Sequence, residues 1–283
     1  MFTEQTIAAD KRVLNYARSG SAGPPLLLLH GVIRRWQDWV PLVPSLASRW
    51  QTIAVDFHGH GASSRADDRY LVRDYLQDAL AILDQVATEP AVLFGHSLGA
   101  LVALGAAACA PGKVRAIIVE DPPSPRFLGQ LRQTSYHTQF VAMQALAGSA
   151  LSVAELTRKL VDVQVPTAKG TVRLGDLRDA TSLRFTARCL QMVDPRVMTP
   201  LIENRWLEDV SLDEWARQVA CPVLLLRGNE TLGGMLPKAD AESWFRQTHD
   251  LTQIDLSNVG HLIHGMDVGT TLRLVTGFLE SLR

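Results

Sequence analysis

Short apolar runs alternate along this chain with stretches in which apolar residues recur at helical spacing. Residues 26–29 are four consecutive leucines, and residues 91–94, 114–119 and 222–228 are nearly as apolar. Continuous runs of this length predict strands buried on both faces of a parallel sheet. Residues 52–56 and 251–256 predict two more strands. Between them, residues 70–86 place Val72, Leu76, Ala79, Leu83 and Val86 on one helical face, with Asp74, Gln77 and Asp78 on the other. The alanine-rich run from Leu98 to about Ala110 is helical by propensity. Further helices are expected up to Trp50, from Pro237 to about Gln247, and over 268–282. Near the start, residues 13–16 and the turn cluster 19–25 predict one or two edge strands. Strands alternating with helices imply an α/β fold, a mostly parallel central sheet flanked by helices.

The pattern changes after Pro123. Helical spacing appears at 139–146, 154–161 and 176–192, with breaks near Gly148, Pro166, Gly170 and Pro195 and no alternating strands. The segment is too long for a loop. The expected organisation is a core of residues 1–123 and 211–283 interrupted by a helical cap over 124–210.

Composition narrows the function class. The chain has 283 residues, about half apolar, and a net charge of −1. No basic footprint suggests a nucleic acid or an anionic membrane, and no apolar run is long enough for a membrane span. The polar start (Thr3, Glu4, Gln5) does not read as a signal peptide. Cys109, Cys189 and Cys221 have no framework spacing, which suggests reduced thiols and a cytoplasmic location. Cys109 and Cys221 are expected to be packing residues. Gly59-x-Gly61 lacks the third glycine of a dinucleotide fingerprint, because Ser64 stands there. The pairs His58/His60 and His261/His264 do not complete a metal ligand set. No metal and no organic cofactor is expected.

The chemistry centres on Gly95-His96-Ser97-Leu98-Gly99, a Gly-x-Ser-x-Gly motif between an apolar run and a helix former's run. That is the pattern of a nucleophile elbow, where a strand turns into a helix and leaves a strained serine at the tip. Only residues with little side chain fit two before and two after it. The helix dipole would point at negative charge forming near Ser97.

With His30-Gly31 after one strand, residues 56–63 after the next, the elbow, and Gly260-His261 near the end, the chain resembles the α/β-hydrolase fold superfamily, specifically its serine hydrolases with a helical cap. The resemblance implies that Ser97 is the nucleophile and His261 its base. It implies backbone amides of Val32 and Leu98 as the oxyanion hole, and a structural role for His30. His96 is expected to point away from the Ser97 side chain. Many members carry the acid three residues after the glycine matched here by Gly228, but that position is Thr231. Asp121 follows the strand after the elbow helix, an acid position similar to that of zearalenone-type lactonases and one type of haloalkane dehalogenase. Asp121 is therefore the preferred acid, with Glu230 and Glu120 as alternatives; Glu120 should face the other way along the strand. The implied activity is hydrolysis of a carboxylic ester or lactone through an acyl-enzyme. Hydrolysis of a carbon–carbon bond in a ketone-bearing acid, or a ligand receptor without turnover, are the alternatives. Trp36, Phe127, Met143, Trp206 and Met235 are candidates for an apolar pocket under the cap, which would suit a small hydrophobic substrate.

Overall fold

A computed structural model describes residues 2–20, 23–66, 69–167, 170–246 and 248–282. Ten strands occur in chain order: β1 (Thr3–Ala9), β2 (Arg12–Ser19), β3 (Pro25–Leu29), β4 (Gln51–Val55), β5 (Ala91–His96), β6 (Val114–Glu120), β7 (Gln164–Thr167), β8 (Gly170–Arg173), β9 (Val223–Arg227) and β10 (Leu251–Asp255). All but β7 and β8 join one sheet, in the order β1-β2-β4-β3-β5-β6-β9-β10. From β4 to β10 every neighbouring pair is parallel, and β1 and β2 form an antiparallel edge hairpin. The hairpin turns at Asp10, whose φ is 51°. Ser21 and Ala22 of the expected turn cluster, and Gln247 at the expected end of a later helix, lie outside the described residues.

The four-leucine run explains itself in this sheet. Leu27 and Leu29 face one side with Ile53, Leu93, Ile117 and Leu225. Leu26 and Leu28 face the other with Ala54, Phe94, Ile118 and Leu226. Two-residue alternation in a strand covered on both faces demands apolar residues at every position. Helices α1 (Val72–Gln85) and α2 (Leu98–Cys109) cover the first face, and the final helix covers the second through Val275 and Leu279. A Cβ on Gly105 would lie 2.8 Å from the Trp215 ring, so this glycine lets residues 212–218 pack directly on α2.

Between β6 and β9 the chain leaves the sheet. Residues 124–210 contribute α3 (Ser135–Leu146), α4 (Val153–Val161) and α5 (Ala180–Met192), with shorter turns between them. Ser152 and Glu155 form a reciprocal capping box on α4. Helix α5 starts later than the spacing suggests, because Asp179 accepts from the Ser182 amide and caps it. One expectation fails: the segment is not purely helical, since β7 and β8 pair as an antiparallel hairpin. Both strands are four residues long and mostly exposed, and β7 carries Pro166, so no alternation marked them.

All three cysteines are free thiols. Cys189 is buried and Cys221 half-buried, but Cys109 is exposed at the end of α2 rather than packed. Among the described residues no helix is long and apolar enough to cross a membrane.

Candidate active site

Strand β5 ends in a forced bend. Ser97 has φ 53° and ψ −113°, a strained backbone for a residue with a side chain. Its surroundings hold it there. A Cβ on Gly95 would lie 2.1 Å from the Gly99 carbonyl oxygen, and one on Gly99 would lie 2.0 Å from that of Leu29. The Ser97 amide donates to Glu120 O at 3.0 Å, tying the bend to β6. The elbow expected from the motif is thus present, with α2 starting at the next residue.

Asp121 stands at the end of β6, fully buried, with φ 41°. Its Oδ1 accepts from the Gly228 amide at 3.1 Å. Its Oδ2 accepts from the Met235 amide at 2.7 Å and is 2.7 Å from His261 Nδ1. Nδ1 is therefore the protonated nitrogen of a neutral His261, which leaves Nε2 as the basic one. Ser97 and His261 border the same cavity, but no hydrogen bond joins Ser97 Oγ to the ring. Pairs of this kind often tighten only when substrate is bound.

The alternative acids lie elsewhere. Glu230 is exposed and accepts from the Lys238 amide (3.0 Å) and Arg227 Nη1 (3.2 Å). Thr231 donates to Asn229 Oδ1, so its side chain is engaged within the loop. Glu120 faces away from Asp121 and accepts from the His264 amide at 3.0 Å and Nδ1 at 2.9 Å.

The turn after β3 supplies the second amide. Arg34 N donates to Gly31 O at 3.1 Å, which places Val32 and Ile33 at the tip. Ile33 is held at φ 59°, an outlier for a β-branched residue. Its amide donates to His60 Nε2 at 3.2 Å, and the Phe57 amide donates to His30 Nε2 at 3.1 Å. Burial lowers the pKa of both rings, consistent with neutral imidazoles acting as acceptors. His30 is thus used structurally. Among the described residues neither the Val32 nor the Leu98 amide has a hydrogen-bond partner. His96 does not turn away as expected: its ring borders the cavity, 4.7 Å from that of His261. Its Nε2 donates to His261 O at 3.1 Å, and its buried Nδ1 is unpartnered.

Beneath the site lies a buried chain of charges. Arg34 pairs with Asp38, Asp38 Oδ2 is 3.4 Å from His264 Nε2, and His264 pairs with Glu120. Burial alone would lower the His264 pKa. Glu120 first and Asp38 second outweigh it and raise the group to about 10. The ring stacks on Trp39 at 4.5 Å.

The cavity has a volume of about 230 Å³. Met143 and Met235 border it as expected. Trp36, Phe127 and Trp206 do not. The Trp36 amide is tethered to Asp56 and its ring packs on Phe2. Phe127 sits behind Tyr136, edge-on at 5.9 Å, and Trp206 borders a separate cleft with Pro125 and Leu128. Large apolar side chains fit the core as readily as a pocket, so residue type alone misplaced these three. Missed altogether were Arg34, Tyr136, Gln139, Arg178 and Thr186, which give the cavity its polar walls. Only Arg34, close behind His30-Gly31, carried any positional signal. Among the described residues no group of three or more His, Cys, Asp or Glu side chains is placed to hold a metal ion.

A parallel sheet with a serine elbow defines a class, and residues 24–173 match the profile of the alpha/beta hydrolase fold. The chain belongs to that family. It is similar to the 2-(acetamidomethylene)succinate hydrolase of Mesorhizobium japonicum, 26% identical over 99% of this chain and 96% of that protein. It is also similar to the 2-hydroxymuconate semialdehyde hydrolase of a Pseudomonas species, 29% identical over 80% of this chain and 76% of the relative. Among solved structures, that of an E-2-(acetamidomethylene)succinate hydrolase superposes with a TM-score of 0.81 and 23% identity, covering 99% of this chain and all of the other.

Proposed function

We propose that the chain is a serine hydrolase cleaving a carboxylic ester or lactone through an acyl-enzyme, with Ser97, His261 and Asp121 as its triad. Ser97 Oγ attacks the acyl carbon while His261 Nε2 takes its proton and returns it to the leaving group. Asp121 holds the ring in the tautomer that exposes Nε2 and stabilises the imidazolium that forms. The Val32 and Leu98 amides receive the oxyanion, and the start of α2 adds its dipole. Water then releases the acid, again with His261 as base. Residues 124–210 act as a cap that contributes Tyr136, Met143 and Arg178 to the cavity. The observation that supports this reading best is the 2.7 Å pairing of His261 with a buried Asp121 beside a serine at positive φ.

A second reading uses the same residues to hydrolyse a carbon–carbon bond in a ketone-bearing acid. The similarity to the 2-hydroxymuconate semialdehyde hydrolase favours it. Steady-state assays on short esters and on a vinylogous keto acid, with wild type and Ser97→Ala, test both. Turnover of either substrate that is lost in Ser97→Ala supports a serine hydrolase, and the preferred substrate selects the reaction. A single burst without turnover points to a receptor. Activity retained in Ser97→Ala refutes the nucleophile.

A further inference from the structure

Among the described residues, one arginine of the cavity wall has no carboxylate paired with it. Arg34 is accounted for: its guanidinium meets Asp38 through Nε at 3.0 Å and through Nη2, and its Nη1 donates to Thr186 Oγ1 at 3.2 Å. Asp38 and Glu120 flank His264, so that chain holds two cations and two anions. Arg178 differs. Among the described residues its guanidinium makes one hydrogen bond, a long contact of 3.4 Å from Nη2 to the neutral Gln139 Oε1. Among the described residues no carboxylate lies within ion-pair distance of it. The adjacent Asp179 also borders the cavity, but its carboxylate is engaged in capping α5 through the Ser182 amide. Arg178 is half-buried and borders the cavity. Burial first, and then the like charge of Arg34, lower the pKa of Arg178. An arginine stays charged in any protein setting. The unengaged donors of Arg178 are therefore available to an anion that enters the cavity.

We propose that Arg178 is a carboxylate-binding residue and that the substrate is a small acyl compound bearing a free carboxylate besides the group attacked. The claim rests on the reading of Ser97 as nucleophile only for what happens after binding. Guanidinium presents paired N–H donors that match a carboxylate's two oxygens. Four of the five donors of Arg178 make no protein hydrogen bond, whereas those of Arg34 are largely engaged. Arg178 is therefore the binding group, and Arg34 lines the wall beside it. Ser97 and Arg178 share a cavity of about 230 Å³, which limits the substrate to a small molecule.

Binding is tested first, without turnover. Thermal melts of wild type, Ser97→Ala, Arg178→Gln and Arg178→Lys are recorded with increasing glutarate and, in Ser97→Ala alone, with methyl valerate as the neutral match, which should give no rise comparable to that of glutarate. A ligand that binds the folded chain raises the melting temperature. We expect glutarate to raise it in wild type and Ser97→Ala, weakly in Arg178→Lys, and not in Arg178→Gln. No glutarate effect in wild type, or an equal effect in Arg178→Gln, overturns the proposal. The second readout is kcat/KM for monomethyl glutarate divided by that for methyl valerate. The ratio should exceed ten in wild type and fall at least tenfold in Arg178→Gln, mainly through KM. Loss of both activities with the ratio preserved means a structural role and overturns the subsite. Ser97→Ala with full activity but a normal glutarate melt refutes the nucleophile and leaves the subsite standing.

Discussion

Replacing Glu120 by glutamine should shift the stability of this protein in a pH-dependent way. The carboxylate is fully buried, 2.9 Å from His264 Nδ1, and His264 is held at a pKa of about 10 against an ordinary 6.5. At about 1.4 kcal/mol per pKa unit the rise corresponds to about 5 kcal/mol. Breaking a buried pair by removing one partner costs about 3–5 kcal/mol, the same scale. The folded pKa is raised, so the stabilisation is complete below pH 6.5, the unfolded value, and is lost as pH climbs to about 10. Glu120→Gln removes the largest raising influence, and burial then favours a neutral ring. Urea unfolding of wild type and variant at half-unit steps from pH 5.5 to 10 reads the effect. The stability difference should be several kcal/mol at the acid end. It should then shrink by about 1.4 kcal/mol per pH unit towards pH 10. A pH-independent difference would show that Glu120 acts through shape and hydrogen bonding, not through the charge of His264. Equal stability at pH 6 would refute the ion pair itself.

Three other outcomes are expected. Asp121→Asn should lower kcat roughly a thousand- to ten-thousandfold by losing the correct His261 tautomer, while Glu230→Gln stays near wild type in the same ester assay. Gly99→Ala should destabilise severely, because its Cβ would sit 2.0 Å from Leu29 O; Gly277→Ala, in the last helix with nothing within 4 Å, should raise the unfolding free energy measured in urea by about 0.5–1 kcal/mol. Acidification should disturb the turn at Val32: His30 and His60 have lowered folded pKa values and serve as acceptors, so stability present above pH 6.5 falls as pH drops below it. Fluorescence unfolding midpoints between pH 4 and 7, for wild type against His60→Gln, check this; an unchanged acid limb in the variant counts against His60.

What could be read from the chain follows from how local each signal is. The buried strands announced themselves because a strand covered on both faces needs apolar residues throughout, as in 26–29. Ser97 was legible because its strain imposes Gly95 and Gly99 within two residues. The acid was legible only as a preference for Asp121, since Glu230 and Glu120 also stood at plausible chain positions and the three-dimensional path of the loop at 229–235 cannot be read from the sequence. That path brings the Gly228 and Met235 amides, rather than Glu230, to the space around His261. The cavity was least legible. Arg34 and Arg178 are far apart in sequence, and a lone arginine in a loop or at the start of a cap helix reads as a solvated charge. That Arg178 has no carboxylate paired with it among the described residues emerges only once the neighbours of every other charge are known.

The bonding around Asp121 sets an order of events when the protein is made. A ribosome delivers Ser97 and Asp121 early, within the first half of the chain. The donors to that carboxylate come from residues 228, 235 and 261, and the ring that would activate the serine is the last of them. A nascent chain arrested before β9 therefore carries the serine with no base and an aspartate with none of its donors. Reactivity and stability of the emerging polypeptide are withheld together until residue 261 has been joined. Chains cut short inside this stretch would be handled by the cell as unfolded material rather than as loose hydrolases.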